Sequence, residues 1–160
     1  MLSVTLHYIS KGLKREEENT VRFKRLNDEA ELPTVSSEYA AGANLYSLKD
    51  CLIPSKCGIK IPTGVAVSLP SFAFMKIEWM SGLGFKHNLA TRAGVVDCDY
   101  SGEIGIVMEN LGFKPYFIEK HEKIAQGVIH KTTSPMVIEE ALKNKERERK
   151  CNGFLCTGKK

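Results

Sequence analysis

Ala93-Gly-Val-Val-Asp-Cys-Asp-Tyr-Ser-Gly-Glu103 is the stretch on which the reading of this chain turns. Val95 and Val96 favour a pleated strand, and Ser101-Gly102 is a turn signal. A strand therefore ends in two carboxylates, Asp97 and Asp99, beside the ring of Tyr100. A carboxylate held there can take a proton from water, and a phenol ring next to it can cover one face of a sugar or base. The same pattern also describes a polar hairpin end whose tyrosine packs on its own strand. The flanking stretches decide between the two.

Downstream, residues 103–110 alternate, with Ile104, Ile106 and Met108 on one face. Residues 116–118, 124–129 and 136–138 read as further strands. Upstream, residues 72–79 place Ala73, Met75, Ile77 and Trp79 on one face and Lys76 and Glu78 on the other. Residues 81–88 read as a short helix with Ser81 as its cap, or as a run of amides able to hold an anion. Two short strands flank Pro62-Thr-Gly64, with Val65, Val67 and Leu69 alternating. Residues 21–26 form the first strand, with Val21 and Phe23 on one face, and residues 27–39 read as loop. Residues 40–47 are rich in small side chains, which let backbones approach closely. Many short strands without a long amphipathic helix indicate an all-β sandwich or barrel.

The 160 residues fit one domain. Its expected parts are an N-terminal extension over 1–20, a β domain over 21–140, and a linker with a C-terminal arm over 141–160. With 42% hydrophobic and 26% charged residues the composition is that of a soluble globular protein. No run is long enough to span a bilayer, so no membrane partner is expected. A net charge of +4 is too mild to call for nucleic acid. Five irregularly spaced cysteines argue for free thiols inside the cell, in cytoplasm or nucleus. The acid-free first 15 residues also suit a weak mitochondrial presequence. His7, His87, His121 and His130 are scattered, so no metal site is assigned to the protein itself. Residues 141–150 alternate in charge sign, and residues 151–158 set glycines around Phe154, as in a tail that folds over a ligand.

Five blocks, in order, resemble the motifs of the trimeric dUTP pyrophosphatase family, and of its eukaryotic members in particular. They are Ala41-Gly-Ala-Asn-Leu-Tyr-Ser47, Met80-Ser-Gly-Leu83, Gly94-Val-Val-Asp-Cys-Asp-Tyr-Ser-Gly-Glu103, Lys123-Ile-Ala-Gln126, and Arg149 through Gly-Phe-Leu-Cys-Thr-Gly158. The resemblance implies a jelly-roll β fold, a homotrimer with sites between subunits, and an exchanged C-terminal arm. It implies hydrolysis of dUTP to dUMP and pyrophosphate with Mg2+ bound mainly to the triphosphate. Asp97 would orient and deprotonate the attacking water. Tyr100 would lie under the deoxyribose, and the hairpin containing Gly94 would pair with uracil. Ser81, Gly82 and Leu83 would meet the phosphates with Gln126 nearby; Phe154 would stack on the uracil and Arg149 would reach the terminal phosphate.

Departures from the family pattern fall where phosphate is handled. Asn44 replaces an Asp, which takes a negative charge from the expected metal neighbourhood. Trp79-Met80-Ser81 replaces Pro-Arg-Ser, so a guanidinium with up to five donors is lost. Lys123 replaces Arg, and His121-Glu122 replaces Gly-Asp. Ala90-Thr-Arg92 replaces an Asp-Val-Gly run. Lys150 and Asn152 replace glycines, while Leu155 and Cys156 replace Gly and Ser. These changes imply a member with impaired or absent catalysis. The alternatives are an active dUTP diphosphatase, with Arg92 or Lys150 supplying the lost charge, and a non-catalytic interaction module on the same fold.

Overall fold

Alternation of apolar and polar side chains builds the sheets. The computed structural model describes residues 5–6 and 20–133. In chain order the strands begin with β1 (Thr5–Leu6), β2 (Val21–Arg25), β3 (Thr34–Val35), β4 (Gly42–Tyr46), β5 (Cys51–Ile53), β6 (Gly58–Pro62), β7 (Val65–Ser68) and β8 (Ala73–Trp79). A seven-residue helix, α1 (Ser81–His87), follows. Then come β9 (Leu89–Arg92), β10 (Val95–Val96), β11 (Gly105–Asn110), β12 (Tyr116–Ile118) and β13 (Lys123–Lys131).

The largest sheet runs β10-β8-β13-β4-β3, beside β6-β11-β9, β1-β2-β7 and the pair β12-β5. All four sheets send side chains into one core. Val21 and Phe23 enter from β2, Val65 and Val67 from β7, Met75 and Ile77 from β8, and Ile106 and Met108 from β11. The all-β expectation is met.

Some local expectations need correction. Within the expected 27–39 loop, Thr34–Val35 pairs with β4, and the small-residue stretch 40–47 is itself largely strand β4. β5 had no sequence signal beyond three residues, and it is held by pairing with β12. Trp79, expected on the buried face of β8, is 56% exposed because it stands at the strand's end. In β13 a bulge between Lys123 and Ala125 turns the consecutive residues Ile124 and Ala125 both inward. The expected strand 136–138 lies outside the described residues.

Candidate active site

The site begins with the turn after β10. Val95 and Val96 pair with Lys76 and Met75 of β8. One step earlier, Ile77 donates its amide hydrogen to the Gly94 carbonyl at 2.7 Å. A Cβ on Gly94 would stand 3.0 Å from the Ile77 carbonyl oxygen, so glycine is what lets the hairpin lie this close. Beyond Val96 the chain turns, with the Tyr100 amide donating to the Asp97 carbonyl at 3.1 Å. Asp97 is exposed.

Tyr100 packs on its own turn, as the second sequence reading has it. Its hydroxyl donates to the Glu103 carbonyl at 3.0 Å, so the ring closes over its own turn. A Cβ on Gly102 would lie 2.6 Å from that hydroxyl oxygen, so one edge of the ring rests on glycine. Tyr100 as a whole is 45% exposed. Glu103, given no role from sequence, ties the turn to the core. Its carboxylate accepts the Gly64 amide hydrogen at 2.7 Å. The neighbouring Ile104 carbonyl accepts the buried Thr63 hydroxyl.

The second group of residues gathers at the other end of β8. Gln126 of β13 lies opposite Glu78 on one side and Asn44 of β4 on the other. Its side-chain amide donates to the Trp79 carbonyl at 3.4 Å. Met80 is extended, with φ −83° and ψ 125°, and occupies the N-cap position of α1 without a side-chain capping bond. Ser81 is therefore the first helical residue, and its expected capping role is corrected. Ser81, Gly82 and Leu83 open the helix, where the first amides lack intrahelical acceptors.

Asn44 is buried at 5% exposure, and its amide donates to Ser36 Oγ at 2.9 Å and Thr34 Oγ1 at 3.4 Å. It is absorbed into a neutral hydroxyl network that includes Tyr46, whose hydroxyl lies 2.5 Å from that of Thr34. The Asp-to-Asn departure thus has an internal structural use. Arg92 is paired with Glu109 on the neighbouring strand. His121 holds φ 65°, and its ring nitrogen lies 2.8 Å from the Glu29 carbonyl.

Within one chain these two groups do not converge. Asp97 follows the residue paired with Met75, whereas Ser81 lies six residues further along β8 and its exit, about 20 Å away at strand rise. The structure brings Ser81, Gly82, Leu83 and Gln126 together, and it brings Gly94, Asp97 and Tyr100 together. Arg149 and Phe154 lie outside the described residues. The described residues contain no group of three His, Cys, Asp or Glu side chains placed to hold a metal.

A multi-sheet β domain with a braced carboxylate turn and a distant serine-glycine segment defines the class. The dUTPase family model matches residues 28–157. A rat deoxyuridine 5'-triphosphate nucleotidohydrolase is 36% identical over 94% of this chain and 73% of its own length. The mouse protein of the same name is 34% identical over 94% of this chain and 92% of its own. Among solved structures, a mutant dUTPase of Staphylococcus bacteriophage 80alpha with dUpNHpp superposes with a TM-score of 0.81 and 25% identity, covering 88% of this chain and 99% of that one. The chain belongs to the dUTPase family.

Proposed function

We propose that this protein binds deoxyuridine nucleotides in sites completed between copies of itself, as a homotrimer, and hydrolyses dUTP to dUMP and diphosphate slowly. The observation that carries the proposal is the pairing of two retained but separated half-sites: Asp97 and Tyr100 on a braced turn, Ser81 and Gln126 at the far end of β8. A second copy brings the missing half to each. The arm over 141–160, with Phe154 and Arg149, closes the assembled site. Its location is intracellular, in keeping with the free thiols of Cys51, Cys57 and Cys98.

Asp97 is the base that orients and deprotonates water at the end of a rigid hairpin. Tyr100 offers its open face to the deoxyribose, and the Gly94 hairpin offers backbone groups to uracil. Ser81, Gly82, Leu83 and Gln126 receive the phosphates. The Ser81 hydroxyl and the Gln126 side-chain oxygen are the groups here that would face Mg2+ carried on the triphosphate, since this ion takes oxygen ligands. Bound there, Mg2+ would neutralise phosphate charge.

The slowness rests on Met80. It stands where the family carries a guanidinium, and losing one transition-state donor costs about a hundred- to thousandfold in rate. The test is diphosphate release from dUTP with Mg2+. The expected result is a slow, Asp97-dependent rate that rises at least about tenfold in Met80→Arg. A rate unchanged in Asp97→Asn, or no gain in Met80→Arg, contradicts the proposal. An ordinary enzyme rate is the second reading, favoured by the Gln126 bond to the Trp79 carbonyl, which keeps the second motif's backbone in place without its proline. The wild-type rate in the same assay separates the two.

A further inference from the structure

Glu103 is bonded through both its backbone and its side chain. Its backbone carbonyl accepts the Tyr100 hydroxyl at 3.0 Å, and its carboxylate accepts the Gly64 amide hydrogen at 2.7 Å. Gly64 is a fixed point. It is buried at φ 68°, its carbonyl accepts the Leu26 amide hydrogen at 2.8 Å, and a Cβ there would stand 2.7 Å from that of Ala30. The next residue is anchored independently: the Ile104 amide donates to the Val65 carbonyl at 2.8 Å, and the Ile104 carbonyl accepts the Thr63 hydroxyl at 2.5 Å. The Glu103 side chain thus links the Tyr100 ring to the buried turn between β6 and β7.

We propose that Glu103 is a positioning residue that sets sugar selectivity through Tyr100. The inference rests on the reading in which Tyr100 lies against the deoxyribose. A ribose carries one more hydroxyl, and a site rejects an added group only where the wall facing it does not give way. Tyr100 alone is a weak wall, because at 45% exposure its ring has solvent to turn into. The hydroxyl bond to Glu103 closes that escape, and the carboxylate bond to Gly64 holds the carbonyl that receives it. A carboxylate suits the task, since an ionised acceptor grips a backbone amide more strongly than a neutral one. The two bonds act in series, so cutting either frees the ring, while Ile104 and the strands on each side keep bonds of their own.

The test is the ratio of dUMP to UMP affinity, by calorimetry on the full chain. A general loosening of the fold weakens both ligands alike and leaves the ratio unchanged; a freed ring admits the ribose and lowers it. Glu103→Ala should lower the ratio about fivefold, the size of one lost hydrogen bond. Glu103→Gln keeps an oxygen acceptor and should retain the ratio. Tyr100→Phe cuts the same link from the ring's side without stranding the Gly64 amide, so it carries the test even where Glu103→Ala does not fold, and it should lower the ratio by a similar factor. Adding Glu103→Ala to Tyr100→Phe should change the ratio no further, because both cut one link. A wild-type chain that binds dUMP and UMP alike, a ratio unchanged in Glu103→Ala or Tyr100→Phe, or losses that multiply in the double variant would overturn the inference and leave nucleotide binding standing. A wild-type chain that binds neither nucleotide would overturn the reading beneath it and the inference together.

Discussion

Asn110 shows how much one buried side chain carries. It is 1% exposed; its amide donates to the Ile53 and Lys114 carbonyls at 3.1 and 2.8 Å, and its carbonyl accepts from Gly112 at 2.9 Å. Asn110→Ala is expected to destabilise the fold by about 2 kcal/mol or more, since it strands buried partners; chemical denaturation reads this directly. At the turn after β10, Gly102→Ala drives a Cβ into the Tyr100 ring. Tyr100 is a half-exposed side chain with room to swing out, so stability should change little. Affinity for dUMP should fall at least about fivefold, as for a lost aromatic contact of roughly 1 kcal/mol, measured by calorimetry. The sequence made Asp97, Tyr100 and Gly94 legible because their spacing is local. It hid the partners of Glu103, Asn44 and Arg92, namely Gly64, Ser36 and Glu109, which the folded strands bring in. It hid as well that His121 occupies φ 65°, a conformation easy for glycine, and that its ring is tied to the Glu29 carbonyl.

Among elements, β8 matters most, because β10 and β13 both pair with it and the two half-sites sit at its ends. Its burial alternation was readable until Trp79, where the sheet stops covering it. Short strands were the hardest to foresee: β3 and β5 span two and three residues and exist through their partners. The β12 segment has its own titration signature. Partial burial, then the neighbouring Glu122 carboxylate, push the Tyr116 hydroxyl above the usual tyrosine range, and the hydroxyl donates to Glu122 at 3.3 Å. A raised value in the folded state means the stabilisation is complete below the unfolded tyrosine pKa and is lost as pH rises through the folded one. Absorbance titration is expected to show one late-ionising tyrosine, absent in Tyr116→Phe. Retention of that late step in Tyr116→Phe would place it elsewhere.

For the molecule as a whole, the fold class was legible because alternation marks most of the long strands, while the number of sheets and their order were not, since both depend on pairings between distant segments. The candidate site could be named residue by residue but not located as a place: nothing in the sequence reveals that Asp97 and Ser81 stand at opposite ends of one strand. If copies of the chain complete each other, two defective variants should rescue one another. Asp97→Asn and Gln126→Ala, each without dUTP turnover alone, should regain activity when unfolded and refolded together, because a mixed trimer contains sites with both residues intact. Co-refolded mixtures as inert as the separate variants would point to a site within one chain.

The central claim is that the nucleoside end of the site is intact while the grip on the polyphosphate is weak. Its most direct test is the affinity of the Asp97→Asn protein, which preserves the substrate, for dUTP with Mg2+ against dUMP, by calorimetry. The account expects dUMP to bind and dUTP to bind no more than about tenfold more tightly, a gain near 1.4 kcal/mol for the two added phosphates. A dUTP affinity hundreds of times that of dUMP, or no binding of dUMP at all, would contradict it.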